Sequence, residues 1–301
     1  MLQEYIVRRI LISVLLLCGS TLDAVEPGRI TVVYSSEAQP YMEALDGLRA
    51  SLNNSTLATV DLHSSNFRTQ LANSVEGGSS RLIVTIGRDA LEAVGSRKSD
   101  TPLIATMIMQ SELTGKQRVA EAVRLDIPLV GILAELRTMF PHKNRVAVLR
   151  NPALPGQVDA SAVMRAHQQG IALQVIDAAS PEESLRVLRY LKGRADFVVC
   201  LPDSTLYNST TVKSLILASL ESQLPIIGFS QSFVRAGAAI GVYPDFRDIG
   251  AQTGEIAQKQ LAGQSAAPVD GPRKVVVGVN PRVMRLLGLE YREGGNVVAV
   301  R

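Results

Sequence analysis

The sequence is poor in cysteine and in aromatic residues, and neither glycine nor proline is enriched. It has two cysteines, 4% aromatic residues, 23 glycines and 14 prolines in 301 residues. So few cysteines exclude a small fold held together by disulfides, and ordinary glycine and proline usage excludes a collagen-like or low-complexity chain. Hydrophobic residues make up 46%, which excludes a disordered chain because that much apolar surface offsets the entropy lost on folding. The length suits one large or two medium domains.

A strong excess of charge of one sign is also missing. Lysine and arginine number 31 against 28 acidic residues, which gives a net charge of +3. Nucleic-acid-binding proteins usually cluster their cations on one face, whereas the longest clusters here are the pairs Arg8-Arg9, Arg97-Lys98 and Arg273-Lys274. We therefore expect no nucleic-acid partner.

Motifs that carry catalysis are missing as well. The histidines, His63, His142 and His167, lie far apart and lack metal-ligand spacing. The run 228–232 lacks the second glycine of a G-x-S-x-G nucleophile elbow. No P-loop surrounds Gly115-Lys116, and no G-x-G-x-x-G follows the first predicted strand. These absences favour binding over catalysis, so we expect no enzymatic activity, no metal and no cofactor.

The first 24 residues have the pattern of an export signal. Arg8 and Arg9 precede an apolar run at 10–17, and small residues lead to Ala24, as in a signal peptide. The run is too short to span a membrane. We expect cleavage after Ala24 and a periplasmic protein. Lipid attachment at Cys18 is an alternative, which the bulky residue before it disfavours.

Cleavage at that point leaves a single cysteine in the chain. Cys200 lies in the apolar run 197–201. This setting is typical of a small core residue rather than of a nucleophile.

Apolar, β-branched runs alternate with amphipathic segments along the rest of the chain. Strands are predicted at 30–34, 57–62, 81–86, 103–107, 145–149, 172–176, 197–201, 226–229, 239–243, 275–279 and 297–300. Helices are predicted at 41–52, 67–75, 87–94, 130–139, 158–169, 182–190, 210–222, 249–261 and from 281. The alternation predicts βαβ units, and continuous apolar strands are typical of parallel sheets covered on both faces.

So many strands fit two sheets better than one, and an internal similarity supports two lobes. The strand at 82–86 is followed by a polar turn, a helix, a proline and a strand, and the strand at 198–201 is followed by the same order. The predicted fold class is α/β with two Rossmann-like, doubly wound lobes joined by hinge crossings. We assign residues 25–127 to the first lobe, 128–245 to the second, and 246–301 to a crossing segment whose last helices and strands pack on both.

Candidate ligand contacts follow from this architecture. In open parallel sheets ligands lie beyond the carboxyl ends of the strands, so two facing sheets form a cleft lined by polar loops. The candidates in these loops are Ser36, Gln39, Gly87, Arg88, Asn151, Asp203, Ser204, Phe229, Ser230, Tyr243 and Asp245. The acids would accept hydrogen bonds from a cationic or hydroxylated group, Arg88 would meet an anion, and the aromatic rings would pack on an apolar part.

Several candidates have an equally plausible structural role. Asp203 and Ser204 are suited to cap a helix, and so is Asp245. Asn151 stands before a proline, as in a turn. The two aromatic candidates suit either contact with a ligand or packing in the core.

The second half of the chain resembles the substrate-binding proteins of ABC transporters, in the group described as tryptophan/tyrosine-binding. The resemblance rests on the segments 140–152, 197–204, 224–230, 234–245, 249–254, 278–280 and 287–289. It covers about 128–291 and implies a periplasmic-binding-protein fold of type I, with ligand loops at Asn151, Asp203, Phe229-Ser230 and Tyr243. Residues 155–158 and 105–110 depart from the group's pattern, so the class of ligand stays open.

These features together predict a function. We expect an exported solute-binding protein that captures a small molecule, an amino acid or related compound among the candidates, and delivers it to an ABC permease. Its alternative is a periplasmic sensing subunit for a membrane sensor kinase or cyclase, because one fold serves both tasks. An enzyme on the same scaffold is a third, weaker interpretation. We expect a monomer.

Overall fold

The computed structural model describes residues 30–52, 57–97, 99–113, 118–154, 156–264 and 271–301. The predicted signal peptide at 1–24, with Cys18, lies outside these ranges. Within them, no helix combines the length and the apolar character needed to cross a membrane.

The described residues form two sheets of mainly parallel strands, with helices on both faces of each sheet. The strands are β1 Ile30–Tyr34, β2 Leu57–Asp61, β3 Leu82–Ile86, β4 Leu103–Ile108, β5 Glu121–Arg124, β6 Arg145–Arg150, β7 Ala172–Asp177, β8 Phe197–Cys200, β9 Ile226–Gly228, β10 Ile240–Pro244, β11 Val275–Val279 and β12 Val297–Ala299. The helices are α1 Gln39–Ser51, α2 Phe67–Leu71 (continued by a π-helical turn, Ala72–Glu76), α3 Arg88–Gly95, α4 Leu129–Met139, α5 Ala160–Gln168, α6 Pro181–Leu191, α7 Thr211–Glu221, α8 Gln231–Arg235, α9 Phe246–Leu261 and α10 Pro281–Leu286. A 3₁₀ turn spans Gln110–Glu112.

The strand order confirms the predicted α/β class with two doubly wound lobes. The first sheet has the order β2-β1-β3-β4-β5, and the second β12-β11-β10-β9-β8-β6-β7. Both faces of each sheet are covered, as the apolar strands predicted: α1 and α9 cover one face of the first sheet and α2 and α3 the other. In the second sheet α4, α5 and α10 lie opposite α6, α7 and α8.

Three features differ from the sequence prediction. The edge strand β5 was not predicted, because only four residues pair and two of them are charged. The short helix α8 was not predicted either. The prediction of parallel sheets does not hold at β11, which runs antiparallel to β10. The chain leaves the second sheet after β10, passes through α9 on the first lobe, and re-enters at the same end, so that Val275 pairs with Pro244 and β11 runs back along β10.

Helix α9 follows a strand of the second sheet but packs on α1 of the first lobe, with almost no space between the two helix backbones. A Cβ atom on Gly250 would overlap the carbonyl oxygen of Ala44, and one on Gly47 would overlap that of Arg247. Thr253 in α9 also donates a buried 3.0 Å hydrogen bond to the Thr106 hydroxyl in β4. Only glycine permits so close an approach, so α9 is fixed to the first lobe although its flanking strands belong to the second.

Candidate functional site

A cavity lies between the two lobes, and residues of both line it. Its volume is about 210 Å³. The first lobe contributes the start of α1. The second contributes the end of β10, the start of β11, one residue of β12 and the start of α8, and Phe246 opens α9 beside them. The lining residues are Gln39, Pro40, Glu43, Gln231, Tyr243, Pro244, Asp245, Phe246, Val276 and Val298. The structure thus brings the predicted residues Gln39, Tyr243 and Asp245 together.

Among the described residues that line this cavity, the charged ones are Glu43 and Asp245, and both are acidic. The Glu43 carboxylate accepts a 2.7 Å hydrogen bond from the Gln39 amide. The Asp245 carboxylate accepts one of 3.0 Å from the backbone N–H of Asp248 and so caps α9. Among the described residues that line the cavity, none is a lysine or an arginine. The local charge therefore favours a ligand group that is cationic or that donates hydrogen bonds.

Tyr243 supplies an aromatic wall with a neutral hydroxyl. The residue is only 5% exposed, and its ring lies along β11, where a Cβ atom on Gly278 would be 2.9 Å from the phenolic oxygen. Burial raises the pKa of the hydroxyl; Arg235 lowers it and Glu43 raises it to smaller extents. The hydroxyl therefore stays protonated at neutral pH and is able to donate a hydrogen bond.

Asn151 and Asp203 form a second polar group, at the carboxyl ends of β6 and β8. The Asn151 amide donates a buried 2.7 Å hydrogen bond to Asp203 Oδ2. Asp203 Oδ1 accepts from the backbone N–H groups of Thr205 at 2.7 Å and Leu206 at 3.1 Å. Asp203 therefore stabilises a turn. It does not cap α7, which begins eight residues later. Ser204 beside it is exposed.

Gln157 connects the same two loops and was not among the predicted residues. Its side-chain oxygen accepts a 3.3 Å hydrogen bond from the Asn151 backbone N–H. Its amide donates to the Pro202 carbonyl at 3.1 Å. The only sequence signal for this role was that 155–158 departs from the family pattern.

Phe229 and Ser230 both take part in local packing. Phe229 is half-buried in a cluster with Tyr207 and Phe233, at centroid distances of 5.9 and 5.2 Å. The Ser230 hydroxyl accepts a 3.2 Å hydrogen bond from the Phe233 N–H and caps α8. Tyr207 was not predicted, because nothing in the sequence places it beside an aromatic residue 22 positions away.

The predicted residues of the first lobe lie around the starts of α1 and α3. Gly87 has φ = 95°, and a Cβ atom there would lie 2.7 Å from the Ser35 hydroxyl. That hydroxyl accepts a 2.9 Å hydrogen bond from Ala90 N–H, so the unpredicted Ser35 fixes α3. The exposed Arg88 pairs with Glu92 at 2.8 Å. Ser36 accepts a 3.1 Å hydrogen bond from the Ala38 N–H.

No group of three or more acidic, histidine or cysteine residues suited to a metal ion occurs in the described ranges. The candidate site has three parts: the interlobe cavity, the Asn151–Asp203 pair and the aromatic cluster at the carboxyl edge of the second sheet.

Comparison with known proteins identifies the class to which this fold and site belong. The family model described as "ABC transporter substrate binding protein" matches residues 43–299. The chain belongs to that family, and this confirms the resemblance found in the sequence. A search of curated protein sequences gave no significant match.

Solved structures agree on the fold, that of the type I periplasmic binding proteins. The ligand-free, open structure of CD0873, a substrate-binding protein with adhesive properties from Clostridium difficile, is similar, with a TM-score of 0.69, 17% identity, and 91% of this chain and 99% of that chain covered. An ABC domain in complex with L-Trp from Streptococcus pneumoniae gives 0.57 at 16% identity, with 90% and 99% covered. A periplasmic ribose ABC transporter protein from Conexibacter woesei gives 0.53 at 14% identity, with 87% and 94% covered.

Proposed function

We propose that the protein is an exported, monomeric solute-binding protein that captures a small molecule between its lobes and delivers it to an ABC permease. The observation that carries the proposal is the interlobe cavity, since α1 of one lobe lines it together with the end of β10 and the start of β11 of the other. A ligand that touches both lobes binds better when they close on it, and that difference in affinity drives closure. The permease would recognise the closed form.

The chain crossings support a hinge next to this cavity. The chain passes between the lobes at 125–128, at 244–246 and again before β11. Asp245 N–H donates a 3.1 Å hydrogen bond to the Lys274 carbonyl, and a Cβ atom on Gly271 would lie 2.6 Å from the Asp126 carbonyl oxygen. Because the crossings are adjacent, a few backbone torsions there are able to rotate one lobe against the other.

The cavity also suggests a class of ligand. Glu43 and Asp245 would accept hydrogen bonds from an ammonium or hydroxyl group, and Tyr243 would donate one. Pro40 and Val276 offer apolar contact. We propose a small molecule that combines a cationic or hydroxylated group with a short apolar part; amino acids, amines and sugars are the compounds to test first.

A thermal-shift screen of the exported chain tests the function. Amino acids, amines, sugars, nucleosides and vitamins are added singly, and a ligand at 100 times its Kd should stabilise the protein by about 2.7 kcal/mol. Glu43→Gln should reduce that stabilisation, whereas Glu221→Gln, an exposed change at the end of α7, should leave it unchanged. The proposal is wrong if no class of compound shifts the melting point, or if the bound compound is recovered chemically altered.

A further inference from the structure

The outer edge of the second lobe, opposite the cavity, is strongly basic. Strands β6, β7 and β8 are parallel and paired, so their amino ends lie side by side. Helices α4, α5 and α6 run back along the sheet and end at the same edge. The cations there define what we call the basic edge: Arg137, Lys143, Arg145, Arg165, Arg189, Lys192 and Arg194, all of them exposed.

Hydrogen bonds join the basic edge into one continuous surface. Arg137 Nη1 donates to the carbonyl of Gln169, the residue after α5. The Asn144 amide donates to the Gly170 carbonyl at 3.3 Å. Arg145 Nη1 donates to the Gly193 carbonyl at 2.9 Å. The ends of the three helices are therefore held together around the start of β6.

Asp196 is the acid that follows these cations in the chain and lies among them; Glu221, at the end of α7, and Glu293, next to Arg292, whose backbone N–H donates to the Met139 carbonyl, border the edge. Asp196 pairs with Arg145 at 2.9 Å. Burial would raise the pKa of Asp196, but hydrogen bonds from Arg145 lower it overall, so this one pair stays ionised. Lys143, Arg165 and Lys192 form no ion pair with any residue that the structure describes, and neither does Arg189. The other acids of residues 137–194 lie at the opposite end of the strands and helices: Asp159, Asp177, Glu182 and Glu183.

Helix dipoles account for only part of this pattern. Cations in the last turn of a helix interact favourably with its dipole, which explains Arg137, Arg165 and Arg189. Lys143 and Arg194 lie in loops after the helices, where that stabilisation falls off. The surface is thus more basic than the stability of its helices requires.

An exposed aromatic side chain stands among the cations. Tyr190, on the last turn of α6, is 59% exposed. The guanidinium carbon of Arg194 lies 4.5 Å from the centre of its ring. Tyrosine has an apolar ring and a polar hydroxyl group, and such side chains are enriched at membrane–water interfaces.

We propose that the basic edge docks the second lobe on an anionic phospholipid surface. Lysine and arginine near such a surface are attracted to its headgroups, and the family to which the chain belongs works with transporters embedded in a membrane. The edge carries one exposed aromatic residue rather than the row of stacking aromatics in a groove that single-stranded nucleic acids require. Docking would hold the protein near its permease, and it does not depend on the ligand in the cavity.

Vesicle sedimentation tests the docking. The exported chain is mixed with phosphatidylcholine vesicles that contain either no anionic lipid or about 30% phosphatidylglycerol, at about 50 and 500 mM salt. We expect binding to the anionic vesicles only, and loss of binding at the higher salt concentration. Equal binding to both kinds of vesicle overturns the proposal.

Charge-reversal variants locate the surface. We expect vesicle binding to weaken by about 100-fold or more in a variant that combines Lys143→Glu, Arg165→Glu, Arg189→Glu and Lys192→Glu. The matched set Arg68→Glu, Arg81→Glu, Lys213→Glu and Lys259→Glu changes the net charge equally at exposed positions elsewhere, and should weaken it by no more than about threefold. Equal weakening by both sets would mean that net charge alone is responsible, and the basic edge would lose its role.

Two smaller variants guard against misfolding. Lys143→Glu with Arg165→Glu, and Arg189→Glu with Lys192→Glu, should each weaken binding by about tenfold while the melting temperature stays near that of the parent. Tyr190→Ala should weaken it by a few-fold at constant charge. Tighter binding to a short DNA duplex than to anionic vesicles would identify a nucleic acid as the partner and contradict the lipid proposal.

Discussion

The side-chain amide of Asn151 donates a 2.7 Å hydrogen bond to the carboxylate of Asp203, although 52 residues separate them in the chain. Both residues are buried. Because Asp203 also accepts two backbone hydrogen bonds, its oxygens have internal partners before any ligand arrives. The pair therefore stabilises the carboxyl edge of the second sheet by itself, without a ligand.

Exchanging the two side chains tests this pair. Asp203→Asn turns two amide groups towards each other, and Asn151→Asp does the same with two carboxylates. Each single change should lower the free energy of unfolding by about 1–3 kcal/mol, because a buried polar group loses its partner. The double exchange restores one donor and one acceptor, so it should recover most of the loss. Urea denaturation measures all four proteins, and additive losses in the double variant would contradict the hydrogen bond.

The contact between α1 and α9 predicts a sharp difference between two helical glycines. Gly250→Ala places a Cβ atom on the Ala44 carbonyl oxygen, and the helices must separate, at a cost of about 1–3 kcal/mol or more. Gly131→Ala, in α4, has its nearest neighbour at 3.7 Å. It should stabilise the protein by up to about 1 kcal/mol, because alanine favours the helix. Thermal unfolding compares them; equal effects would show that the helices are not in backbone contact.

Asp248 predicts a pH dependence of stability. Its carboxylate, 7% exposed, lies 2.9 Å from Arg273 and 3.4 Å from Lys274. Burial would raise the pKa of Asp248, but the hydrogen bonds from Arg273 and Gln252 lower it overall. A lowered folded-state pKa contributes stability above the unfolded value of about 3.9, and this contribution disappears as the pH falls through the folded-state pKa.

Asp248→Asn should therefore lose stability at pH 7 and depend less on pH below about pH 4. Melting temperatures at neutral and acidic pH measure both effects. Asp100→Asn, at a fully exposed position, is the matched control and should behave as the parent does. If the parent and Asp248→Asn lose the same number of degrees on acidification, Asp248 is not the group responsible.

Cys200 predicts resistance to thiol reagents. The thiol lies in the core at 1% exposure, and burial raises its pKa to about 12. Only the thiolate reacts, so almost no reactive form is present at pH 8. A Cys18→Ser chain should react with a disulfide reagent only after urea is added. Rapid reaction of the native protein would mean that β8 is accessible.

The site could be predicted from the sequence only in part. Gln39 begins a helix, Tyr243 is the last residue but one of β10 and Asp245 follows that strand; strand ends are readable from apolar runs. Gln157 and Tyr207 were missed because their roles depend on partners far along the chain. The basic edge was missed for the same reason: its cations are scattered over 58 residues, from Arg137 to Arg194, and no short segment shows an excess of positive charge.

The sequence by itself determined the alternation of strands and helices, because apolar periodicity and turn residues act on neighbouring positions. Predicted elements lie within three residues of those observed, counting the π-helical turn after α2. The tertiary structure alone decided that β11 runs antiparallel, that Gly47 and Gly250 bring two helices into backbone contact, and that Asn151 meets Asp203. Each of these depends on contacts between segments that are distant in the chain. The geometry of such contacts is fixed only when complete helices and strands pack together.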